Sequence, residues 1–214
     1  PSFFSIHLNT DEELQDLKKL SPKVLSTLIH ELVHFIQDIT TTYGLMNIVH
    51  TVQMQKAINN TIFKSDLKVF ERPIKISDYE TTEINVELLA LYVGSSSLIC
   101  REFRSIESIE LEKNDCIPGY EEVCSVKINV RKGSIPCSFN FGAECILEGM
   151  AHLVEQQFLN EVDHPQFPYF IVENLAEFIY PEFARSKIAL IFLCDIALNS
   201  FHPGLIFYNL LLDM

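Results

Sequence analysis

No tryptophan occurs in the 214-residue chain, and no run of Lys or Arg is longer than two residues. The first absence costs little, because 16 Phe and 7 Tyr supply aromatic bulk for a core. The second is more telling. With a formal charge of −13 and no basic patch, the chain repels phosphate backbones and anionic lipid, so nucleic acid and membrane surfaces are excluded as expected partners. No two of Cys100, Cys116, Cys124, Cys137, Cys145 and Cys194 have the C-x-x-C spacing of a zinc knuckle or a thioredoxin-like motif. Cys116/Cys124 and Cys137/Cys145 share a spacing that a hairpin would bring together, but free buried thiols in a reducing compartment are the simpler expectation. A basic N-terminal segment followed by a long apolar run is also missing, so no signal peptide is expected and a cytoplasmic location is. The longest apolar run of the C-terminal region, Ile188 to Cys194, is too short to span a bilayer and reads as buried helix. The chain stops on an apolar segment, which points to further protein beyond Met214, as a regulatory domain or a partner's docking element.

What is present is ordinary for a folded domain: 48% hydrophobic and 21% charged residues, in a chain long enough to bury a core. "FFSIHL" at 3–8 suggests a strand. "TDEELQDLKKL" suggests a short helix with Thr10 as cap and Glu13 closing a capping box. Ser21-Pro22 starts a second helix that runs to about Thr41, and a third follows to about residue 63. Residues 64–79 read as irregular or short strand, and 81–103 as helix again. From 105 to 141 the pattern alternates, with Pro118-Gly119 and Lys132-Gly133 as turns, and predicts a three-stranded meander. Helix returns at 143–160, 169–180 and 187–199. No repeat and no low-complexity tract breaks this order. The expected fold is α+β and predominantly helical, one domain over 1–214, with a 64–141 insertion that carries the small antiparallel sheet.

The stretch "LSTLIHELVHFIQD" carries His30-Glu31-Leu32-Val33-His34. Its spacing stacks two imidazoles on one helical face, where both can bind one Zn²⁺. Glu31 projects about 100° around the helix, placed to accept a proton from a water that the metal activates. A random chain of this length shows the pentapeptide with a probability on the order of 1%. The competing reading is an amphipathic helix in which Leu25, Leu28, Leu32 and Phe35/Ile36 pack inward and the histidines merely flank them. Positions 37 and 40 are Gln and Thr, so the third ligand is not three or six residues further on but distant in sequence. Glu148 in "ILEGMAHLVEQ" is the first candidate, because it sits among apolar residues and Gly149 would let the metal helix come close. Glu144, Glu83 and Glu87 are rivals.

His30-Glu31-Leu32-Val33-His34 resembles the signature of the zincin metallopeptidases. Glu148-Gly149-Met150-Ala151, with Glu155 further along, resembles the Glu-Gly-x-Ala segment of their gluzincin branch. The two matches cover some fifteen residues of the chain. The resemblance implies His30, His34 and Glu148 as zinc ligands, and Glu31 as the general base that activates water against a peptide carbonyl. No Gly-x-Met-Glu-Asn segment is present, so aminopeptidase specificity is not implied and endopeptidase activity on a protein or peptide substrate is the expectation. His152, one turn past Glu148, is a candidate oxyanion donor, with Tyr120, Tyr169 and His164 as further ones. Asp195 and Asp38 are candidate acceptors for a ring N–H of the metal histidines. Two other functions remain open on the residues alone. One is a helical interaction or regulatory module with a structural or vestigial metal site, and the other is a zinc hydrolase of a non-peptide bond. A carboxylate beside the histidines favours catalysis, since a structural site has no use for it.

Overall fold

The computed structural model describes residues 6, 8–64, 80–94, 102–103, 105–113, 123–159 and 164–214, with side chains for all of these except 64 and 80–86. Of the expected strand at 3–8 only Ile6 and Leu8 are described, neither in a strand; of the irregular segment 64–79, Lys64 ends a helix and 65–79 lie outside the described residues, as do the turn at Pro118-Gly119, Cys100, Cys116 and Tyr120. The fold is α+β and mostly helical. In chain order it comprises α1 (Pro22–Thr40), α2 (Thr42–Lys64), α3 (Glu80–Val93), β1 (Ile106–Lys113), β2 (Cys124–Lys132), β3 (Ile135–Phe141), α4 (Ala143–Phe158), the short α5 (Gln166–Tyr169), α6 (Ile171–Ile179), α7 (Pro181–Ala184), α8 (Lys187–Leu198) and α9 (Pro203–Asp213). Among the described residues no helix is long and apolar enough to cross a membrane.

The expected helix at 10–20 is replaced by a single 3-10 turn, Leu17–Lys19. Glu12 explains part of the loss. Its carboxylate leaves the local chain and accepts from the Ser21 backbone N–H at 2.7 Å and the Ser21 hydroxyl at 2.6 Å. That contact braces the start of α1, where Ser21 caps Val24 N–H and Pro22 occupies a position needing no donor. Helix α3 also stops earlier than expected, at Val93. Gly94 follows with φ of 88°, and a Cβ there would lie 2.5 Å from the Asn140 carbonyl oxygen. This left-handed residue lets the chain pass close to the end of β3.

The three strands form an antiparallel sheet in the order β1-β2-β3, with Ile128 opposite Ile109 on one side and Phe139 on the other. Val126, Ile128, Val130, Phe139 and Phe141 turn one face inward and join the core built by α4, α6, α8 and α9. Helix α4 runs through the middle of that core. Its Ala143, Cys145, Ile146, Gly149, Ala151 and Leu153 are buried, and so are two polar residues, His152 and Glu155. Burying one such Leu or Ile is worth about 1.5–3 kcal/mol, so the helix is held by its apolar residues and can carry polar ones. Helix α8 is not buried all round, as its run of apolar residues suggested. Leu190, Leu193, Cys194 and Ala197 face the core, while Ile188, Phe192 and Ile196 face outward. Cys137, Cys145 and Cys194 carry free thiols.

Candidate metal centre

Helix α1 packs against α4 along a polar seam. Ser26, His30, His34 and Gln37 recur at helical spacing and turn towards α4, and His30 and Gln37 are buried with Val33. The apolar stripe of the competing reading does not pack inward as a whole: Leu25, Leu28 and Phe35 are half-buried, but Leu32 and Ile36 are 44% and 47% exposed. The histidines are therefore at the interface, not beside it.

His30 and His34 meet edge to face, ring centroids 4.7 Å apart, with their Nε2 atoms separated by 3.0 Å. From α4, Glu148 brings Oε2 to 3.1 Å from His30 Nε2 and 3.4 Å from His34 Nε2. A tetrahedral ion with bonds of about 2.0–2.1 Å needs donor atoms roughly 3.3–3.5 Å apart. The three separations fall at or just under that value, and the donor set, two imidazole nitrogens and a carboxylate oxygen, suits zinc. Gln37 supplies an independent reason. Its side-chain N–H₂ donates to the Leu147 carbonyl at 3.1 Å, which turns its oxygen to His34 Nδ1 at 2.8 Å. The neutral His34 ring must then carry its proton on Nδ1 and present a bare lone pair at Nε2. The His34 lone pair, His30 Nε2 and a carboxylate oxygen thus converge on one point, a donor set that could hold a cation.

The titration of these groups tells the same story. Burial opposes charge on both Glu148 and His34. Hydrogen bonds from His30 and His34, with their charge, nonetheless pull the Glu148 carboxyl down to about 2. The His34 imidazole is raised, because the Glu148 carboxylate, the Gln37 oxygen and the Glu31 charge outweigh its desolvation. Positive charge is favoured at this point.

The convergence opens into a cleft of ≈ 830 Å³. Lys23, Thr27 and Glu31 of α1 line it, together with Leu159, His164 and Tyr169. Beneath the histidines lies Glu155, 1% exposed. It accepts from the Ser26 hydroxyl and from His164 Nε2 at 2.9 Å, and its Oε2 stands 3.5 Å from His30 Nδ1. The His164 ring stacks on Tyr169 at 4.1 Å and 8°.

The structure brings His30, His34, Glu148 and Glu31 to one cleft and leaves other expected residues elsewhere. His152 is fully buried, packed edge-on against Phe170 at 4.3 Å, with Nε2 accepting from Gln156. It lies under the cleft and does not reach a substrate carbonyl, so the oxyanion role is not met there. Burial and the nearby positive groups push it down to about 4. His164 and Tyr169 do line the cleft. Asp195 is half-buried on α8 and outside the cleft lining. The acceptor on His34 is Gln37, not Asp38, whose carboxyl is raised by burial. Glu144 is half-buried one turn before Glu148 and is raised by burial and by the Glu148 charge. Glu87 is exposed on α3, and the Glu83 side chain lies outside the described residues. Gly149 makes room on the other side from the metal helix: a Cβ there would lie 2.7 Å from Val172 Cγ2 of α6. Sequence reasoning missed Gln37, Ser26 and the role of Glu155. The signal was the polar spacing 26, 30, 34, 37 along one face of α1.

Comparison with protein-family models, with curated proteins and with solved structures returned no match.

Proposed function

We propose that the chain is a zinc-dependent endopeptidase of zincin type, with His30, His34 and Glu148 as the metal ligands and Glu31 as general base. The observation that carries this reading is the approach of two Nε2 atoms and one carboxylate oxygen to within 3.0–3.4 Å of each other, in a cleft that Glu31 also lines. Zinc held there would keep a fourth position open, act as a Lewis acid towards a carbonyl and bring a water's pKa towards about 7. Glu31 takes the proton of the attacking water and passes it to the departing amine. Gln37 keeps the His34 imidazole oriented with its Nε2 lone pair outward. Leu159, His164 and Tyr169 form a wall along which an extended peptide can lie, and the acidic chain favours peptides of positive charge. A reducing compartment suits the buried thiols Cys145 and Cys194.

The test is elemental analysis with a peptide-library digest. The reading expects one zinc per chain in the wild type, none in His30→Ala, and zinc without hydrolysis in Glu31→Gln. A wild type that takes up no zinc when supplied with it, or a Glu31→Gln variant as active as the wild type, would overturn it.

A further inference from the structure

The inner nitrogen of His30 is not explained by the three ligands. His30 is 7% exposed, and its Nδ1 makes no hydrogen bond. If Nε2 is to offer a lone pair to a metal, the ring proton must sit on Nδ1, and a buried N–H without an acceptor is costly. Glu155 Oε2 stands 3.5 Å away. Glu155 has its own need: a carboxylate 1% exposed requires donors around it. Ser26 and His164 already donate, and the side facing His30 is the place for a third.

We propose that Glu155 is a positioning residue for the metal centre. It accepts the His30 Nδ1 proton, fixes the Nε2 lone pair towards Glu148 and His34, and through the same oxygen anchors His164, on which Tyr169 stacks. The inference rests on the zinc reading above and assigns the carboxylate that supports it. The placement along the helices adds weight. Gln37 ties α1 to the Leu147 carbonyl of α4 on one side of the ligand set, and Ser26 ties α1 to Glu155 on the other. The ligands lie between two cross-links. Glu155 thus orients one ligand, joins the two metal helices and holds the facing wall of the cleft.

Zinc affinity measured against a competing chelator tests this in the full chain, with thermal melts of the metal-free protein alongside. Glu155→Gln keeps one acceptor and loses the charge, and about 10-fold weaker zinc is expected. Glu155→Met keeps neither, and about 100-fold is expected. Unchanged affinity in folded variants would overturn the proposal while leaving the zinc reading intact, whereas a wild type that binds no zinc would remove both. Should the variants fail to fold, ¹⁵N spectra of histidine-labelled, zinc-loaded wild type decide. The proposal expects His30 metallated at Nε2, with an Nδ1 proton protected from solvent. Metallation at Nδ1, or rapid exchange of that proton, would overturn it. So would a second zinc per chain that disappears in His164→Ala, because His30, Glu155 and His164 would then be ligands of another ion.

Discussion

Glu148 and Glu155 lie on the same helix, about two turns apart, and meet the same imidazole from opposite nitrogens. The Glu148 side chain is 27% exposed and borders the cleft mouth, where its partners are two histidines whose own protons compete with a metal. Glu155 is closed off at the floor, where its partners are a serine hydroxyl and a histidine held by stacking. The difference teaches that one helix can hold a carboxylate for exchange and another for permanence. At the mouth an unfilled position costs little, because water reaches it. At the floor every donor must be in place on folding, because none can be supplied later.

If the division between mouth and floor is right, substitutions at the two levels should fail in different ways. Glu31→Gln at the mouth should lower the hydrolytic rate by about 10²–10⁴-fold while zinc content and melting temperature stay as in the wild type, read by steady-state kinetics and elemental analysis. Glu148→Gln should weaken zinc by about two to three orders of magnitude, a quarter share of the roughly 10–16 kcal/mol of a four-position site. Beneath the cleft, His152 gives a pH signature. Its folded pKa of about 4 lies below the unfolded value of 6.5, so between those values the unfolded chain binds the extra proton. Its contribution to stability is complete above pH 6.5 and is lost as pH falls towards 4, by at most about 3 kcal/mol. Denaturant melts of wild type and His152→Leu across that window should converge as pH falls, and parallel curves would show that His152 is not the group responsible. Ser26→Ala leaves a buried Glu155 oxygen without a donor and should cost about 1–3 kcal/mol in the metal-free protein. Gly149→Ala, which presses on Val172 rather than on α1, should cost a similar 1–3 kcal/mol and change zinc affinity little.

The chain revealed its local chemistry more readily than its packing. The limits of α1 were legible from Ser21-Pro22, and the meander was legible from its alternation and Lys132-Gly133, because both signals are made within a few residues. The pairing of His30 and His34 with Glu148, across more than a hundred residues, was legible because a Glu set among the apolar residues of α4 has few reasons to be there. What misled were signals whose meaning is settled by a distant neighbour. Thr10 and Glu13 promise a helix, but Glu12 is drawn to Ser21. Leu32 and Ile36 look like a core stripe, but the polar seam of α1 faces α4. The glycine after Glu148 was assigned to the wrong neighbour, since one residue's step turns the face by about 100°. His152 shares a helix face spacing with Glu148 and yet sits beneath the cleft against Phe170.

The side chain of Gln37 has an outline that would not change if its oxygen and nitrogen were exchanged. The exchange would nevertheless turn a donor towards His34 and an oxygen towards the Leu147 carbonyl, forcing the imidazole proton to the opposite nitrogen and closing the lone pair to any ion. What prevents it is the direction of a peptide carbonyl in α4. The backbone of one helix thereby writes a chemical polarity onto a ring of another, and two forms of this protein could share every contour while only one of them bares a lone pair at His34 Nε2.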